Sequence, residues 1–170
     1  PLLLPLLDQP CPVERMSVVY ALGRNPCPSA VQKLVSLLKT DDNAYVRRAT
    51  AWSLANYDNQ IVLEPLINAL KNDVAAVRLW SSSSLAEIGN VSLENAQLAA
   101  EQLLISLKID NEPGVRSNCI WSLCRLYEKL NNTFQESFVD ECTKIALFDK
   151  EPSVMEEAKT ALDSMGMQGF

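Results

Sequence analysis

A chain of 170 residues with 48% hydrophobic side chains can bury a sizeable core, and 6% aromatics with only five glycines favour helices over a β-sandwich. The formal charge of −6 repels phosphate backbones, and no basic stripe offsets it, so no nucleic-acid partner is expected. Histidine is absent, which removes Ser-His-Asp and Cys-His nucleophile activation and histidine-ligated zinc or iron.

The five cysteines (Cys11, Cys27, Cys119, Cys124 and Cys142) are odd in number and lack C-x-x-C or zinc spacing. They read as reduced thiols of a cytoplasmic protein. The opening Pro-Leu-Leu-Leu-Pro-Leu-Leu-Asp has no basic flank and is too short for a signal core. No apolar run approaches the roughly 20 residues of a membrane helix. Residue 1 is not methionine, so an array continuing upstream is expected.

In chain order the pattern predicts an all-α array of about five helix pairs, over approximately 1–24, 28–57, 60–89, 93–129 and 133–166. The first pair is partial: 2–7, a link at Pro10 and Pro12, then 13–22. In the second, Ser29 is the expected cap of a helix whose Val31, Leu34, Val35, Leu37 and Leu38 share one face. Thr40-Asp-Asp-Asn43 then turns into a helix through Leu54. The third runs over 61–70 and 74–88, stopped by Gly89-Asn90. In the fourth, 93–107 is followed by Pro113, suited to a first helical turn, and a helix to about 129. The fifth covers 133–148 and 153–165, with a tail over 166–170 expected to fray.

The repeat declares itself in the second helices. Arg15, Arg47, Arg78 and Arg116 recur at spacings of 32, 31 and 38, and Met155 takes the fifth place. Such a period marks a stacked array. Counting each arginine as zero, positions −1, +3, +6 and +7 share a face: Val46, Thr50, Ser53, Leu54; Val77, Ser81, Ser84, Leu85; Val115, Cys119, Ser122, Leu123. Small residues there allow close helix approach. The arginines lie on the flank, within reach of a neighbouring turn. A structural ladder of Arg47, Arg78 and Arg116 with Asp42, Asp73 and Asp110 is expected, with departures at Pro10, Lys150 and Met155.

Positions +1, +5 and +8 fall opposite the core. They hold Met16, Tyr20, Gly23; Arg48, Trp52, Ala55; Leu79, Ser83, Ala86; and Ser117, Trp121, Cys124. Tyr20, Trp52 and Trp121 at +5, with Met16, Arg48, Leu79, Ser83, Ser117 and Cys124, are expected to line a partner-binding groove; the alternative is that neighbouring helices cover the aromatics. Trp80, at +2, is expected in the helix–helix core. The run Ser81–Ser84 rotates through nearly a full turn without an adjacent base, so it reads as small-residue packing. Cys119 is expected in the core and Cys124 at the groove. No carboxylate pair, phosphate loop or metal cluster stands out, and no catalytic residue is assigned.

The recurring Asp-x-x-x-Val-Arg, small residues and Leu resemble the HEAT repeat, which implies a right-handed α-α superhelix with the second helices on its concave side. Val46-Arg-Arg-Ala-Thr-Ala-Trp-Ser-Leu54 and Val115-Arg-Ser-Asn-Cys-Ile-Trp-Ser-Leu123 are similar to repeats of the cyanobacterial phycobilin lyase E/F-type family. The chain also resembles the HEAT protein that partners an iron–sulfur scaffold. These resemblances imply a protein-binding scaffold in phycobilisome or cofactor assembly, with a phycobiliprotein or cofactor carrier as partner. The alternatives are a phycobilin lyase holding a linear tetrapyrrole on Tyr20, Trp52 and Trp121 with Arg48 on a propionate, or an iron–sulfur assembly partner using Cys124. An enzyme is not the favoured expectation.

Overall fold

In a computed structural model that describes residues 2–167, nine α-helices and four short 3-10 turns form the regular structure of the described residues. The helices are α1 (Pro12–Arg24), α2 (Val31–Thr40), α3 (Ala44–Leu54), α4 (Leu63–Asn72), α5 (Ala75–Gly89), α6 (Leu93–Ile109), α7 (Pro113–Leu126), α8 (Asn132–Phe148) and α9 (Pro152–Ser164). Of the tail expected to fray, residues 168–170 lie outside the described residues.

Local chemistry sets the starts. The Asn43 side chain accepts from the N–H groups of Tyr45 and Val46 at the head of α3. Ser92 and Asn131 do the same for α6 and α8. Pro12, Pro113 and Pro152 occupy first turns, where the missing N–H has no intrahelical acceptor to lose. Two expectations fail. The tenth helix is only a 3-10 turn, Leu4–Asp8, because five residues are too few to nucleate an α-helix. Ser29 caps nothing: Pro28 opens a 3-10 turn (Pro28–Ala30) that already contains Ser29, whose hydroxyl lies 3.1 Å from the Cys27 thiol.

The second helices α1, α3, α5, α7 and α9 pack against one another in succession, and each contacts its own first helix. The first helices α2, α4 and α6 touch one another only sparsely. Closer spacing in one layer than in the other bends the array, with the second helices inside. Among the described residues there is no strand, and the two-layer stack is an α-solenoid. The −1, +3, +6 and +7 side chains of α3, α5 and α7 are all buried, from Val46 and Leu54 to Cys119 and Leu123.

Four guanidinium groups tie consecutive turns together. Arg15 donates to Asp41 (2.8 and 2.9 Å), Arg47 to Asp73 (2.8 and 2.8 Å), Arg78 to Asp110 (2.7 and 2.8 Å) and Arg116 to Asp149 (3.2 and 2.8 Å). Each is a two-point fork, the geometry arginine favours with carboxylates. The remaining Nη1 of each arginine bonds a carbonyl of its own turn: Gln9 and Pro10, Asp41, Asp73 and Asp110 respectively. Every rung thus runs forward, from one repeat to the next.

The structure corrects two members of the expected ladder. The carboxylate met by Arg15 in the fork is Asp41, 2% exposed at its side chain, while Asp42 is solvent-exposed and adds one contact at 3.0 Å. Lys150 is no departure either, because Asp149, six residues before Met155, holds the rung. Asp41 and Asp110 also precede their arginines by six residues; Asp73 precedes by five, and that spacing misdirects the count.

A second set of cross-links comes from the serines at +6. Ser84 donates to the Ala51 carbonyl (2.8 Å) and Ser122 to the Ser82 carbonyl (2.9 Å), each reaching back to the preceding second helix. Tyr57 adds a third link: its hydroxyl donates to the Leu22 carbonyl (3.0 Å) and accepts from the Cys27 N–H (3.4 Å).

Candidate partner-binding face

The side chains expected opposite the core divide into a packed half and an open half. In the packed half, Tyr20 and Trp52 meet at 5.4 Å between ring centroids, tilted by 56°. Trp52 also lies over Gly23: a Cβ at that position would stand 2.5 Å from the indole. Gly23 is therefore buried rather than groove-facing, and Ala86 likewise. Both aromatics, with Met16, are half-buried. Arg48 lies with its guanidinium 5.3 Å from the Tyr45 ring centroid, and its Nε is buried without a hydrogen-bond partner among the described residues.

The open half centres on Trp121, 40% exposed. Arg125 covers part of it, with the guanidinium 5.0 Å from the ring centroid and an ion pair to Glu87 at 2.9 Å. Trp121, Ser83, Ser117, Gly114, Asn118 and Glu157 line a cleft of about 320 Å³ between α5, α7 and α9. Ser83 creates this space by standing at +5, where α3 and α7 each carry an indole. Leu79 packs half-buried near Gly114. Asn118 donates back to the Leu79 carbonyl (2.9 Å) and to the hydroxyls of Ser82 (2.8 Å) and Ser83 (2.5 Å), anchoring α7 on α5.

Trp80 departs from expectation. It is 36% exposed, not core, because position +2 points along the layer toward the preceding second helix, as Asn118 does. An indole there extends past that contact into water. Cys124 is half-buried, and burial pushes its thiol up to about 11; Cys119 and Cys142, fully buried, are raised as well. Cys27 moves the other way, lowered by the Ser29 hydroxyl and by backbone N–H groups at the head of α2.

The larger clefts lie elsewhere. One, about 880 Å³, sits between α2 and α4 at the ladder edge and includes Arg47, Asp73 and Arg78. It reflects the splay of the first helices, and its charged groups already satisfy one another through the rungs. The arginines are thereby removed as free anion sites. The sequence pattern gives no sign of an apolar edge formed by Ile105, Ile109 and Phe148, the last 78% exposed. Among the described residues no helix is long and apolar enough to cross a membrane.

Comparison with known proteins matches this architecture. No curated protein matches the chain in sequence. A chain from the complex of CpcE and CpcF of phycocyanin lyase from Nostoc sp. PCC7120 superposes at a TM-score of 0.72 and 22% identity, covering 95% of this chain and 96% of its own. An engineered protein aligns at 0.68 and 22% identity, over 95% and 78% of the two chains. A designed armadillo repeat protein in complex with a (KR)4 peptide aligns at 0.65 and 20%, over 95% and 80%. The sequence profile of HEAT repeats matches residues 1–86 and 34–124. Helix pairs tied turn to turn by a recurring arginine, under a profile reaching from residue 1 to 124, make this chain a member of the HEAT-repeat family.

Proposed function

We propose that this chain is a protein-binding scaffold that receives a partner segment on the inner, second-helix face, in the setting of phycobilisome or cofactor assembly. The observation that carries the reading is Trp121, a half-exposed indole at the rim of a cleft on that face. An indole carries a large apolar area, and a bound segment gains by removing it from water. The setting draws on the full-length likeness to a chain of the CpcE–CpcF complex, itself an assembly of two proteins.

The test is affinity capture from the native organism with the wild-type chain and with Trp121→Ala. A protein recovered by the first and lost with the second supports the reading. Equal recovery by both overturns it.

The same likeness favours a second reading, the handling of a linear tetrapyrrole. The residues fit such a group only in part. Arg48 offers a guanidinium with an unpaired Nε beside Tyr45. Trp52, however, is engaged with Tyr20 and Gly23, and Trp121 stands on α7, two second helices away from Arg48 on α3. A visible absorption band travelling with the captured chain would favour this reading. The iron–sulfur role fits less well: a thiol held at about 11 is a poor thiolate donor, and among the described residues no group of three Cys, Asp or Glu could hold an ion.

A further inference from the structure

Resting on the inner face as the docking surface, we infer that the Trp121–Glu157 cleft is the subsite for a cationic side chain, a lysine or arginine of an extended basic partner segment. The lining contains one carboxylate and no cation. Glu157 is half-buried and, among the described residues, makes neither an ion pair nor a side-chain hydrogen bond. Its neighbours differ: Glu156 pairs with Lys159, and Glu87 with Arg125. A half-shielded carboxylate without a partner gains from a cation more than an exposed one does, because screening by water is weaker there.

The rest of the cleft suits the same ligand. Trp121 supplies a ring that attracts cations, a property it already displays toward Arg125. The two N–H groups of Asn118 Nδ2 are spent on acceptors of α5, which leaves its Oδ1 as a second acceptor for an N–H donor. Gly114, Ser83 and Ser117 keep the floor low enough for an aliphatic stem. The wider field agrees in sign: the chain carries −6 overall, and the one cation on the Trp121 ring, Arg125, is paired with Glu87. Charge thus selects a basic segment over an acidic one.

The experiment titrates the chain with a peptide of alternating lysine and arginine, and with analogues carrying glutamine or glutamate in their place, by tryptophan fluorescence and calorimetry. The basic peptide should bind, with the glutamine analogue about tenfold weaker or worse. Glu157→Gln, nearly isosteric, should weaken the basic peptide about fivefold while leaving the thermal midpoint unchanged, and higher salt should shrink that difference. Basic-peptide binding that ignores both Glu157→Gln and Trp121→Ala overturns the subsite and counts against the docking face. Equal or tighter binding of the glutamine or glutamate analogue, lost in Trp121→Ala, overturns the cationic subsite and leaves the docking face standing. Absence of binding by all three peptides removes the subsite, while captured protein that depends on Trp121 would still uphold the face.

Discussion

Arg78 and Asp110 stand 32 residues apart in sequence and meet through two parallel hydrogen bonds, Nε to Oδ2 at 2.7 Å and Nη2 to Oδ1 at 2.8 Å. The third arm of the same guanidinium holds the Asp73 carbonyl at 2.9 Å. Arg78→Ala strands a carboxylate that is only 6% exposed, so a loss of about 3 kcal/mol in denaturant unfolding is expected. Arg78→Lys should recover only part of it, since an ammonium cannot make the two-point fork.

Acid should loosen the ladder. Burial alone would raise the carboxyls of Asp41, Asp110 and Asp149, but hydrogen bonds from their arginines and from backbone N–H groups outweigh it and hold them below the ordinary 3.8. A depressed folded value contributes stability above the unfolded value that is lost as pH falls through the folded one. The thermal midpoint should therefore decline from about pH 4 downward as these groups take up protons. Asp149→Asn should make that decline shallower. An acid limb as steep as wild type would reject Asp149 as a contributor.

Gly23→Ala sets two effects against each other. A helical alanine gains about 1 kcal/mol over glycine, but the added methyl would sit 2.5 Å from the Trp52 ring and 3.1 Å from the Ser53 backbone. Overpacking against backbone wins, with a net loss of about 1–2 kcal/mol and a changed Trp52 emission spectrum. A stabilised variant would show that α1 and α3 can move apart without cost.

Trp52→Ala and Trp121→Ala should separate cleanly. Trp52 rests on Tyr20 and over Gly23, so its loss opens a cavity and costs about 2–3 kcal/mol. Trp121 is more exposed and should cost under about 1 kcal/mol while reducing partner binding. Thermal and denaturant melts of the two variants, side by side, check both claims.

The fold was readable because its signals repeat. Arginine recurs in four copies with leucine seven residues after each, and valine precedes it in three of them, which leaves little room for another period. The ladder was readable in kind but not in partner, since a one-residue change in turn length separates Asp41 from Asp42 as the buried carboxylate. The face opposite the core was the hardest part. Angle alone placed Tyr20, Trp52 and Trp121 together, yet exposure depends on the neighbour's size: Gly23 admits Trp52, whereas Ser83 leaves an opening beside Trp121. Glu157 was missed because it stands at +2 from Met155, a position that the count assigned, as for Trp80, to the helix–helix core.

The four rungs also make one edge of the molecule a common baseline. Helices α2 and α4 have 10 residues each, whereas α6 and α8 have 17, yet the forks at Asp73, Asp110 and Asp149 all close within 2.7–3.2 Å. The added length of α6, together with the longer α5, is therefore carried to the far edge, away from the rungs, and a shorter connection between the two helices leaves the arginine spacing stretched from 31 to 38. One margin of the array stays flush while the other is stepped. Length can be added before Leu93 or Asn132 without changing how the inner helices meet, so the outer margin is free to vary while the inner surface keeps its register.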